Sequence, residues 1–267
     1  MSSLAFTRSG TGAPLVLLHG LGSSRHAWNP VIPTLAERFD VLAVDLPGFG
    51  DSEPLPEHVE PLPAALAAVV AGFLEDLGIT TPHIVGNSLG GWVALELAHI
   101  RPSASLTLLS PAGLWRGATP IYQRVSLRTT RWLAEHATGL LSRLVNHRLG
   151  RIMVLGQTHG RPARMTPDQA RTSIQDMARC PGLPATYQAT VRRCYQPGPR
   201  PPLSIPTTVA FGSRDFLLVP WARHVDQLPP GTRVGSLPGC GHVPMADDPD
   251  AVAALIAASA RVPDRSA

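Results

Sequence analysis

A chain of 267 residues that is 44% hydrophobic can bury one substantial core, and its length is near the ceiling for a single one. Its net charge of +4 is unevenly spread: all 23 basic residues are Arg, and residues 116–200 hold fourteen of them against Glu135, Asp168 and Asp176. That stretch carries +11 and the remainder −7, but its Arg residues are not interleaved with aromatics, which argues against a nucleic-acid surface.

In chain order, residues 14–18 form an apolar run that predicts a buried strand, followed by His19-Gly20-Leu21-Gly22. A helix is expected near 31–38 and a strand over 41–45, running into Asp45-Leu46-Pro47-Gly48-Phe49-Gly50-Asp51-Ser52. The longest apolar stretch, 64–74, has helical spacing and is too short to span a bilayer, so it belongs to a surface helix over 61–77. Strands at 83–87 and 105–110 bracket a helix over 88–100. Strands alternating with helices predict a parallel sheet.

From 115 to 202 the strand pattern disappears. Helices are expected over 124–149 and 167–179, with a third over 185–195, and the Pro/Gly-rich run 197–202 reads as a linker back to the sheet. Strands then resume at 207–211 and 234–237. The expected organisation is a core of 1–114 and 203–267, interrupted by a helical insertion, 115–202.

Three strand ends carry candidate chemistry. The strand at 83–87 breaks into a helix at Gly86-Asn87-Ser88-Leu89-Gly90, a turn that holds a serine exposed at its tip. The strand at 207–211 ends in Gly212-Ser213-Arg214-Asp215, and a carboxylate there sits at the carboxyl edge of a parallel sheet, where ligands bind. The strand at 234–237 is followed by Pro238-Gly239-Cys240-Gly241-His242-Val243-Pro244, from which His242 can reach across the strand ends. A serine hydroxyl needs a base, and histidine has an unperturbed pKa near neutrality. Asp215 would fix the imidazole tautomer and stabilise the imidazolium. The Leu89 amide follows the serine, and the Leu21 amide lies in the loop after the first strand; both are candidate oxyanion donors.

These motifs together resemble the α/β-hydrolase superfamily, over residues 14–249 and in the family's order. The resemblance implies an α/β fold with a mostly parallel sheet flanked by helices, the insertion forming a lid over the site. It implies a triad of Ser88, Asp215 and His242, a structural Asp45, and a serine hydrolase cleaving a carboxylic ester or thioester through an acyl-enzyme. Dehalogenases and epoxide hydrolases of this fold carry Asp at the elbow, where this chain has Ser88. Proline iminopeptidases usually carry Gly-Gly-Ser-Trp-Gly. The Gly-Asn-Ser elbow is similar to that of C–C bond hydrolases, which usually place an aromatic after the histidine, where this chain has Val243. Lyase, cyclase or C–C cleavage chemistry is the alternative on the same scaffold, and a non-catalytic ligand receptor a remoter one.

The candidate pocket residues are Trp28, Trp115, Tyr122, Trp132 and Val243; Trp92 poses the same choice between pocket wall and packing. The Arg excess either docks basic helices on an acidic core or receives an anionic or carrier-bound small-molecule substrate. Cys180, Cys194 and Cys240 have no metal-ligand spacing and are expected as reduced thiols; a Cys180–Cys194 pair would need an oxidising setting. His147 and His159 stand isolated. No phosphate-binding loop or dinucleotide fingerprint follows a strand, so neither cofactor nor metal is expected. The opening residues lack a charged segment and apolar run, which leads to the expectation of a cytoplasmic protein. Nothing indicates the oligomeric state.

Overall fold

The computed structural model describes residues 4–197 and 203–260. Its centre is a seven-stranded sheet: β1 (Phe6–Ser9), β2 (Ala13–Leu18), β3 (Phe39–Val44), β4 (His83–Asn87), β5 (Ser105–Leu109), β6 (Thr207–Gly212) and β7 (Arg233–Leu237). The spatial order is β1-β3-β2-β4-β5-β6-β7, and every neighbouring pair is parallel except β1 with β3. Strands buried on both faces need apolar side chains at successive positions, and Leu15-Val16-Leu17-Leu18 supplies them.

Alternate residues of each strand enter opposite layers. Val16, Leu18, Ile84, Leu106 and Val209 pack with Leu66, Val70 and Leu74 of α2 (Pro63–Asp76) and with Val93 and Leu97 of α3 (Leu89–Ile100). Leu15, Leu17, Val85 and Ala210 face the other way, onto Ile32 and Leu35 of α1 (Ile32–Ala36) and onto Val252 and Ile256 of α8 (Pro249–Ala260).

Between β5 and β6 lie α4 (Ile121–Leu144), α5 (Arg148–Leu155), α6 (Pro167–Ala178) and α7 (Leu183–Thr190). The helix expected over 124–149 is two helices, because the chain turns at 145–147 to bury Val145 beside Leu155, Met165 and Ile174 in a small separate core. α4 also kinks at Ala137 (φ −125°, ψ 18°). The third helix begins earlier than expected and ends at Thr190, not at Tyr195. Apart from Pro197, the expected linker at 197–202 lies outside the described residues. All three cysteines are free. Among the described residues, no helix is long and apolar enough to cross a membrane, and no group of His, Cys, Asp or Glu is placed to hold a metal ion.

Candidate active site

Ser88 stands between the last residue of β4 and the first of α3, with φ 53° and ψ −117°. A side chain in that region of backbone space is strained by about 1–3 kcal/mol, so the surroundings must impose it. The Ser88 amide donates to the Leu109 carbonyl (3.0 Å), and the Ser88 carbonyl accepts from Ala112 (2.8 Å) and Gly91 (2.9 Å). The glycines two positions either side are sterically required. A Cβ on Gly86 would run into the Gly90 carbonyl, and one on Gly90 into the Leu18 carbonyl.

His242 Nε2 lies 2.8 Å from Ser88 Oγ, and its Nδ1 lies 3.0 Å from Asp215 Oδ2. A carboxylate only accepts, so Nδ1–H donates to Asp215 and Nε2 is left to accept from the serine hydroxyl. Asp215 is buried, and its second oxygen accepts from the Leu217 (3.0 Å) and Leu218 (2.7 Å) amides. Burial alone would push its pKa up. The nearby His242, its hydrogen bond and the Leu218 amide outweigh burial and hold the carboxyl below its ordinary range.

Two residues that sequence reasoning did not single out hold this arrangement. Asn87 Nδ2 donates to the Leu109 and His242 carbonyls, both at 2.9 Å, tying the elbow to the histidine loop. The buried Asp247 accepts from the amides of Gly241, Gly160 and Arg161, each at 2.7 Å. It thereby joins the histidine loop to the segment between α5 and α6, which the Val243 amide also meets at the Thr158 carbonyl (2.9 Å). Only a sequence signal spanning 87 positions would reveal the Gly160 contact.

The loop after β2 is equally fixed. His19 Nδ1–H donates to the Gly20 carbonyl (2.8 Å) and Nε2 accepts from the Leu46 amide (3.0 Å), a pattern that requires the neutral ring. Burial holds the His19 pKa below its ordinary value. A Cβ on Gly20 would come within 3.1 Å of Ser88 Cβ, so the loop runs directly over the serine. Among the described residues, the Leu21 and Leu89 amides have no protein acceptor. Asp45 is structural: it accepts from the Arg25 and Asp51 amides and pairs with the Arg25 guanidinium.

Ser88 and His242 open into a cavity of about 580 Å³ with mostly apolar walls. Leu21, Leu89, Trp92, Trp115 and Val243 line it, together with side chains from α4, α5 and α6. Three expected pocket residues do not. Trp28 is fully buried in the layer beneath β2, because the short turn Arg25–Trp28 directs it to the sheet. The Tyr122 hydroxyl donates to the Leu217 carbonyl (2.7 Å) while its ring packs edge-on against Trp221. Trp132 is largely exposed and stacks on His136.

His159, set aside in the sequence as isolated, is buried in the cavity wall. Asp176 of α6 also lines the cavity, accepts from Ser24 Oγ (2.6 Å), and has its pKa raised by burial against the opposing effects of Ser24 and His26. Among the described residues, no Arg lines the cavity. Instead Arg116, Arg161 and Arg193 pair with Asp226, Asp248 and Glu60, fastening the basic segment to the acidic core.

Comparisons with known proteins agree with this architecture. Epoxide hydrolase EphH of Mycobacterium tuberculosis is 34% identical over 203 residues, covering 72% of this chain and 92% of that protein. The pimeloyl-[acyl-carrier protein] methyl ester esterase of Aeromonas hydrophila is 43% identical over 110 residues, 41% of each chain. A thermophilic esterase from Thermogutta terrifontis superposes with a TM-score of 0.74 at 25% identity, over 96% of this chain and 92% of that one. The alpha/beta hydrolase family model matches residues 15–255, and the chain belongs to that family as an enzyme with hydrolase activity.

Proposed function

We propose that the protein is a serine hydrolase that cleaves an ester-like acyl substrate, a carboxylic ester or thioester, through an acyl-enzyme. The observation that carries this reading is the hydrogen-bonded sequence Ser88–His242–Asp215 at the floor of the apolar cavity. Ser88 Oγ attacks the acyl carbonyl as His242 Nε2 takes its proton, and Asp215 stabilises the imidazolium that forms. The Leu21 and Leu89 amides receive the oxyanion; losing one such donor typically costs about 2.7–4 kcal/mol of transition-state stabilisation. His242 then returns the proton to the leaving group, and water repeats the sequence to release the acid.

The epoxide hydrolase relative raises a second possibility, which the chemistry of Ser88 disfavours. A serine attacking an epoxide carbon would form an ether, which has no carbonyl for water to attack. An acyl-serine ester does have one. We assign α4–α7 as the lid that shapes the acyl site, and the walls without Arg favour an uncharged acyl group.

Intact-mass spectrometry after exposure to a fluorophosphonate tests the mechanism. One adduct is expected on the wild type and none on Ser88→Ala, whose ester turnover should fall by up to ~10⁶ in kcat. Retained turnover in Ser88→Ala would overturn the covalent route.

A further inference from the structure

The helical segment exposes apolar side chains where α4 meets α5. Leu149 and Met153 are 74% and 80% exposed, and Leu140, Leu144 and Ile152 are also exposed. The corner itself is firmly built. Val145 is fully buried beneath it, and the buried Arg151 guanidinium donates to the Val145 and Asn146 carbonyls. Leu144 and Met153 belong both to this outer surface and to the wall of the cavity that holds Ser88.

The charge around the corner is mostly positive, and the acid that reaches it, Asp168, is paired with Arg171, which also donates to Asn146 Oδ1. Residues 136–167 contain no Asp or Glu. Arg143 and Arg148 are exposed, and among the described residues neither forms an ion pair, unlike Arg116, Arg161 and Arg193. Protruding aliphatic side chains flanked by unpaired cations fit a medium that is apolar within and anionic at its surface. Guanidinium groups match phosphate oxygens in a two-point geometry. A second copy of this chain fits poorly, because joining two corners would bring Arg143 and Arg148 towards their counterparts, and the nearby Asp168 is already paired with Arg171.

We propose that the α4–α5 corner docks the protein on an anionic lipid surface, with Leu140, Leu149 and Ile152 among the acyl chains and Arg143 and Arg148 at the phosphates. An ester-bearing acyl chain then enters the cavity past Leu144 and Met153. This second step rests on the acyl-hydrolase reading; the docking does not.

The test sediments Ser88→Ala protein with phosphatidylcholine vesicles, with and without phosphatidylglycerol. Binding is expected on the anionic vesicles, weak on the neutral ones, and reversed by salt. Leu140→Ser/Leu149→Ser/Ile152→Ser and Arg143→Gln/Arg148→Gln should each weaken it roughly tenfold, with melting temperatures matching the parent to exclude misfolding. Equal binding to both vesicles, or no loss in the apolar triple variant, would overturn the proposal. So would a lipid-free dimer that the triple variant abolishes, which would assign the corner to a second copy. With Ser88 restored, the triple variant should lose turnover of a long-chain ester in anionic vesicles while keeping that of a short soluble ester. Vesicle binding without turnover of either ester would leave the docking standing and refute the acyl-hydrolase reading.

Discussion

On one side of the cavity, the loops that carry Ser88 and Asp215 leave strands buried along their whole length, the loop that carries His242 leaves the edge strand β7, and buried hydrogen bonds pin each loop. On the other side, α4, α5 and α6 share only a small core around Val145, Leu155 and Ile174, and they turn apolar side chains outward. The difference separates two tasks. Proton transfer along Ser88–His242–Asp215 tolerates little displacement, so those groups sit on the stiff sheet. Accommodating an acyl chain tolerates adjustment, so the walls come from helices packed on a minor core. Asp247 is one joint between the two regions, since one carboxylate gathers amides from both.

The strongest way to break this division is Asp247→Ala. It leaves three amides without their acceptor, and the buried one, on Gly241, alone costs about 1–3 kcal/mol. The expected result is a lower melting temperature together with a fall in kcat of about 10²-fold as His242 loses its position. KM for a short ester should move far less. Unchanged kcat would mean that the histidine loop holds its geometry without the clamp.

A smaller effect, confined to the helical side, is expected of Leu141→Trp. Leu141 lies near the end of α4, packs against the minor core and lines the cavity. Added volume there should shorten the acyl site. Turnover of long-chain esters should drop about tenfold, near 1.4 kcal/mol, with acetyl esters unaffected. An equal loss for both would show that the helical side also shapes the catalytic geometry.

The same division explains what was legible in the sequence. The elbow announces itself because the Ser88 turn has room for nothing larger than glycine at 86 and 90, so the steric demand is written at fixed offsets. The central strands were legible because burial on both faces leaves only apolar runs. β1 was not, since Phe-Thr-Arg-Ser is mostly exposed at the antiparallel edge and carries no buried pattern. Asn87 and Asp247 were missed for another reason: they act on backbone amides and carbonyls, which have no residue identity to match. Trp28, Tyr122 and Trp132 failed as pocket markers because direction, not type, decides. Trp28 turns under the sheet, whereas Trp115 turns into the cavity.

The smallest expected effect probes the contact between the two regions at Asp176, where α6 meets Ser24 of the loop after β2. Burial raises the Asp176 pKa, so the folded protein holds this proton more tightly than the unfolded chain does. Stability from that preference is fully present below the ordinary carboxylate pKa and is lost as pH rises through the raised folded value. Near neutral pH the ionised carboxylate is therefore a liability that Ser24 and His26 only partly offset. Asp176→Asn stays uncharged and keeps an oxygen that can accept from Ser24. The variant should melt a few degrees above the wild type at pH 7–8, and the advantage should shrink as pH falls towards the ordinary carboxylate pKa of about 4. Melting curves across that range decide the point: a constant offset would be a packing effect, whereas an offset that vanishes in acid is the titration of the seam between sheet and helices.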